Sequence, residues 1–93
     1  MIWAQEQLFR RSGRQSRNVY VSGRRTSMRL EAGLWEALEE IGRREDQTIH
    51  ELCTTVDGVR GDLSLTAAVR AAVVDYFWQS LSVKEQPSIA GTG

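Results

Sequence analysis

The chain has 93 residues, 41% hydrophobic and 26% charged, with one cysteine and a formal net charge of zero. That length fits one domain, and the composition is that of a globular protein, which excludes a disordered, collagenous or disulfide-stapled chain. No apolar run approaches the ~20 residues of a membrane span, and Gln5, Glu6 and Gln7 break any signal-like start, so a cytoplasmic protein with no membrane partner is expected.

The neutrality conceals a strong polarity. Residues 10–30 hold seven arginines and no acid, whereas residues 31–62 hold nine acids and three basic residues. Eleven of the twelve basic residues are arginine, whose planar fork suits phosphate or guanine better than lysine does. One end of the chain is therefore suited to a polyanion.

Residues 1–17 read as a flexible basic arm, with few apolar residues and no sustained period, though Trp3, Leu8 and Phe9 could dock. Residues 18–21, Asn-Val-Tyr-Val, are strand-like, and Ser22-Gly23 suggests a bend or bulge. The next stretch, Arg24 to Leu30, alternates: Thr26, Met28 and Leu30 share one face, and Arg25, Ser27 and Arg29 share the other. Such a short strand needs a partner, and no suitable one follows it in sequence.

Residues 32–45 carry helical spacing through Leu34, Leu38 and Ile41, with Trp35 at the edge of that stripe and Glu39–Arg43 and Glu40–Arg44 as surface pairs. Thr48 and Glu51 have the spacing of a capping box, which predicts a helix from Ile49 to about Val56 with Leu52, Cys53 and Val56 inward. Residues 57–62, containing Gly58 and Gly61, read as a loop. Ser64 caps a third predicted helix whose apolar face comprises Ala68, Val69, Ala72, Val73, Tyr76 and Phe77, extended by Trp78 and Leu81. Residues 82–93 read as a disordered tail after a domain over 18–81. The lone Cys53 in an apolar pattern fits a buried thiol.

A core built from about sixty residues is marginal. Pairing the strand with its copy from a second chain would satisfy its backbone and enlarge the core. The fold class expected is thus mainly α with one short β-strand, an intertwined homodimer around an intermolecular antiparallel ribbon. Such a ribbon fits the major groove of double-stranded DNA.

The run from Arg24 to Glu31, followed by Leu34-Trp35, Leu38 and Ile41 and then by Thr48-Ile49-His50-Glu51-Leu52, resembles the ribbon-helix-helix DNA-binding family, in a form with an additional helical segment. The resemblance covers roughly residues 19–77. It implies base contacts from Arg25, Ser27 and Arg29 and a phosphate held at the N-terminus of the second helix by Thr48 and Ile49. Separately from the resemblance, the basic segment is expected to add phosphate contacts from Arg14, Arg17 and Arg24. The family's second helix is longer and uninterrupted, whereas Gly58 to Asp62 is expected to break it here.

Catalysis is not expected, since no nucleophile elbow and no glycine-rich phosphate loop is present. No cofactor or metal is expected either: His50 and Cys53 are three apart, but a single pair is a poor ligand set. The resulting expectation is a sequence-specific transcriptional regulator, a repressor. The competing reading is a protein-interaction module or antitoxin-like dimer, whose acidic first helix would suit a basic protein partner.

Overall fold

The structure is a computed structural model that describes residues 4–85; Trp3 and the tail beyond Glu85 lie outside the described residues. Its elements run α1 (Gln5–Ser12), β1 (Arg14–Val21), β2 (Arg24–Glu31), α2 (Ala32–Glu45), α3 (Ile49–Val59) and α4 (Leu65–Glu85). No helix among the described residues is long and apolar enough to cross a membrane.

The strand over 24–31 finds its partner upstream in its own chain. β1 and β2 pair antiparallel over all eight residues of each, from Arg14 opposite Glu31 to Val21 opposite Arg24. This corrects the expectation of one short β-strand: within the chain, β1 pairs with it. The link is Ser22-Gly23, with φ of 52° and 83°, the doubly positive turn whose twist matches a two-residue hairpin. Glycine meets that demand without strain. Within the stretch read as a basic arm, residues 5–12 form α1 and residues 14–17 the first half of β1. Leu8 and Phe9 do not dock; they are 54% and 81% exposed.

The core lies under the inner face of the ribbon. Val19, Val21, Met28 and Leu30 meet Trp35, Leu38 and Ile41 of α2, Cys53 of α3, and Val69 and Val73 of α4. Trp35, expected at the edge of the helix stripe, is fully buried, and its indole N–H donates to the Gln15 carbonyl at 2.9 Å. That bond lets tryptophan sit in the core without an unpaired donor. Leu34 shifts to the margin in exchange.

Local signals set the helix ends. α2 stops where Asp46 turns left-handed, at φ 56° and ψ 47°, a conformation that Asp tolerates. The chain then passes close over Gly42, where a Cβ would run into the Gln47 carbonyl oxygen. The capping box forms as expected: the Glu51 amide donates to the Thr48 hydroxyl at 3.1 Å and the Thr48 amide to the Glu51 carboxylate at 2.8 Å. α3 does not break at Gly58 but continues to Val59. Ser64 caps α4, its hydroxyl accepting from the Ala67 amide at 3.1 Å. Trp78 and Leu81 do not extend the inward face of α4; they are 66% and 52% exposed. α4 itself runs on to Glu85, into the stretch expected as tail.

Candidate nucleic-acid interface

The hairpin presents two chemically different faces. Inward point Val19, Val21, Met28 and Leu30. Outward, the register places Tyr20 opposite Arg25, Asn18 opposite Ser27 and Ser16 opposite Arg29, and all six residues are exposed. Arg25, Ser27 and Arg29 thus share one surface, as alternation indicated. Ser16, Asn18 and Tyr20 join them, and they were not singled out from the sequence. Once Ser22-Gly23 is read as a two-residue turn, counting back from it finds all three.

The same turn sets the hydrogen-bond alternation. A two-residue hairpin closes on a bonded pair, here Val21 and Arg24, so Tyr20–Arg25, Asn18–Ser27 and Ser16–Arg29 are the unbonded pairs, whose side chains stand closest together. The Tyr20 amide, turned off the outer edge of β1, donates to His50 Nδ1 at 2.9 Å, and the Ser22 amide donates to the Thr54 hydroxyl at 3.0 Å. α3 therefore covers one edge of the ribbon with two side chains. His50 also meets the Tyr20 ring edge-on, with centroids 5.7 Å apart. The sole histidine, read as a surface or core-edge residue, is thus the joint between ribbon and second helix. Nothing in the sequence around His50 marks that role, because its partner is a backbone amide thirty residues away. On β2 the corresponding amides of Arg25, Ser27 and Arg29 have no acceptor among the described residues.

Electrostatics sort the arginines. Arg11 pairs with Glu36 at 3.7 Å, Arg14 with Glu31 at 4.0 Å and Arg17 with Glu39 at 3.1 Å. Arg17 belongs to the inner set and lies over the Trp35 ring at 4.8 Å. By contrast, no carboxylate among the described residues lies within ion-pair distance of Arg24, Arg25 or Arg29. Arg25 and Arg29 on the outer face and Arg24 at the tip keep unneutralised guanidinium groups, whereas Arg11, Arg14 and Arg17 are engaged within the fold. Arg24 stands at the hairpin tip near Asp57, whose carboxyl is lowered mainly by its hydrogen bond from Arg60.

At the base of the ribbon, Glu31 accepts from Arg70 of α4 at 3.1 Å. A backbone hydrogen bond, reinforced by Arg70 and Arg14, holds its carboxyl below the ordinary value. The acidic side of α2 is also engaged. Glu40 takes both Arg43 and Arg44, and Glu39 takes Arg17 in place of the expected Arg43. At the start of α3, Thr48 commits its amide and hydroxyl to the capping box, and the exposed Glu51 carboxylate stands beside the free amides of Ile49 and His50. Cys53 is buried, and burial pushes its thiol up to about 11.

The hairpin and the helices that follow it coincide with the match to a known protein family. The profile of the family described as "Ribbon-helix-helix domain" matches residues 14–82. The chain belongs to the ribbon-helix-helix family. The matched stretch begins with β1, so the ribbon-helix-helix region includes both strands of the hairpin as well as α2, α3 and most of α4. The solved structure of an uncharacterized protein from Bordetella pertussis Tohama I is similar at 29% identity and a TM-score of 0.68, the match covering 91% of this chain and 68% of that one. No curated protein sequence matches the chain. Ribbon-helix-helix domains typically bind DNA, so membership supports a DNA-binding role for this chain.

Proposed function

We propose that this protein is a sequence-specific double-stranded DNA-binding regulator, a repressor, that inserts the outer face of its β1–β2 hairpin into the major groove. The observation that carries the reading is the set of three exposed cross-strand pairs, Ser16–Arg29, Asn18–Ser27 and Tyr20–Arg25, whose arginines have no acidic partner among the described residues. Arg25 and Arg29 are assigned to guanine edges, and Ser27 and Asn18 to neighbouring donors and acceptors. A two-stranded ribbon matches the groove's ~12 Å width. Two eight-residue strands reach about 27 Å along it.

Phosphate contacts set the register. Arg24 at the tip and the amides of Ile49 and His50 are the groups available for them. Thr48 contributes by capping the helix that presents those amides, and Arg14, 58% exposed, remains within reach through its long side chain. Arg17 is withdrawn from this role by Glu39 and Trp35. A homodimer would bring two ribbons to a two-fold related operator. The engagement of Glu36, Glu39 and Glu40 with arginines of the same chain disfavours the rival reading, in which an acidic helix receives a basic protein partner.

The test is selection of bound duplexes from a random pool by the purified protein, with the Arg25→Ala/Arg29→Ala double variant alongside. A motif recovered by the parent and lost by the variant supports the reading. Each bidentate arginine–guanine contact discriminates by ~1–3 kcal/mol, so the motif should lose its strongest positions while residual binding persists. Recovery of the same motif by both proteins would remove the hairpin from the reading head.

A further inference from the structure

We propose that the cavity between α2, α3 and α4 is a binding site for a small uncharged aromatic molecule, one ring in size. The cavity measures about 140 Å³. Its floor is built from buried core side chains: Leu38 of α2, Cys53 of α3, and Val69 and Val73 of α4. Leu52, Val56, Ala72 and Tyr76, all half-buried, form the rest of the wall, where the core stops short of closing. The short side chain of Ala72 leaves much of the space on the α4 side. No residue of the hairpin lines the cavity, so the site stands apart from the DNA-binding reading.

The lining dictates the occupant. It contains no charged residue, and a charge brought there from water would have nothing to pair with. Water itself fits poorly, because it needs about two to four polar partners. The two hydroxyls at the wall are already engaged: Tyr76 donates to the Glu45 carboxylate at 2.7 Å and Thr55 to the Glu51 carbonyl at 3.1 Å. No buried side-chain nitrogen or oxygen among the described residues lacks a partner. The other polar residue of the lining, Gln47, is exposed. An apolar molecule therefore enters without breaking a hydrogen bond. Size selects a single ring, since an apolar cavity of about 150 Å³ stays dry and takes benzene. Two wall groups favour an aromatic ring over an aliphatic one of the same volume. The Tyr76 ring offers an edge or face contact, and the Cys53 sulfur is attracted to ring edges. Burial pushes the Cys53 thiol up to about 11, so it stays protonated and neutral beside the ligand.

The experiment uses the full chain, with benzene as the probe. A molecule held only by the folded state raises Tm, so benzene should raise it by several degrees as its concentration nears its solubility in water. Benzoate, the same ring carrying a charge, should leave Tm where it is. The methyl resonances of Leu38, Val56 and Val69 should move along one saturable curve, while those of Val74 and Leu81, on the exposed side of α4, stay in place. Ala72→Leu sets an isopropyl group into the cavity and should abolish both the thermal shift and the methyl movement. If overpacking unfolds that variant, the methyl titration of the parent protein decides the question alone. An absent or negative thermal shift, a shift matched by benzoate, methyl movement confined to Val74 and Leu81, or undiminished binding by folded Ala72→Leu would each overturn the site. Cavity methyls that ignore benzene and move with protein concentration would overturn it as well, in favour of a side chain from a second copy as the occupant.

Discussion

Arg17 tests the separation of a folding role from the proposed DNA-binding role within one arginine cluster. Its guanidinium bonds Glu39 at 3.1 Å and lies over Trp35 at 4.8 Å. The ion pair is half exposed, with 40% and 55% of the two side chains accessible, so it contributes ~0.2–1 kcal/mol. The cation–π contact at an exposed site adds ~0.5–1 kcal/mol. Because one group makes both, the sum is not fully additive, and Arg17→Ala should cost about 1 kcal/mol. In a domain of this size that lowers Tm by ~4–8 °C. The same variant should leave the slope of log binding constant against log salt unchanged, since each phosphate contact contributes about 0.9 to that slope. Thermal unfolding and a salt titration of DNA binding read the two effects, and Glu39→Gln should reproduce part of the first. An Arg17→Ala protein that keeps its Tm and loses about one salt-slope increment would refute the argument and return Arg17 to the phosphate-binding set.

Three other outcomes are expected. Gly42→Ala should destabilise by about 1–3 kcal/mol in urea unfolding although alanine is the better helix former, because the new Cβ meets the Gln47 carbonyl; a neutral or stabilising result would contradict the close approach. His50→Ala should cost about 1 kcal/mol through the Tyr20 amide it leaves unmet, and amide exchange at Tyr20 should accelerate more than at residues of the inner face; uniform exchange would rule out the edge cap. Glu31 has a lowered folded-state value, so its stabilisation is present above the ordinary carboxylate range and is lost as pH falls through that lowered value. Glu31→Gln should accordingly flatten the acid limb of a stability–pH curve, whereas an unchanged limb would mean that Arg70 and Arg14 do not hold the carboxylate in solution.

Much of the site is written in local pattern. Alternation alone separates Arg25, Ser27 and Arg29 from Met28 and Leu30, because a buried face forces the period of a strand. Thr48 with Glu51 and Ser64 before an alanine-rich run mark two helix starts for the same local reason, that free amides need an acceptor. The first half of β1 is not legible. Arg-Gln-Ser-Arg shows no alternation, because its inner positions meet the margin of the core: Arg17 lies over the Trp35 ring and Gln15 offers a carbonyl to the indole. The pairing is dictated by β2 and the Ser22-Gly23 turn rather than by local pattern. Gly58 misleads in the opposite way, since the helix propensity it costs is small against the packing of Val56 and Cys53. The outward turn of Trp78 and Leu81 is hidden because an apolar helix gives no sign of which side meets its own core.

A hairpin drawn from one chain has no symmetry of its own. In a ribbon made of two identical strands, each reading residue appears twice, and any change alters both halves of the code together. Here Ser16, Asn18 and Tyr20 lie beside Arg25, Ser27 and Arg29 as six separately encoded positions. On the proposed reading, one substitution therefore changes one of six side chains on a ribbon and leaves the chemistry of the other five as it was.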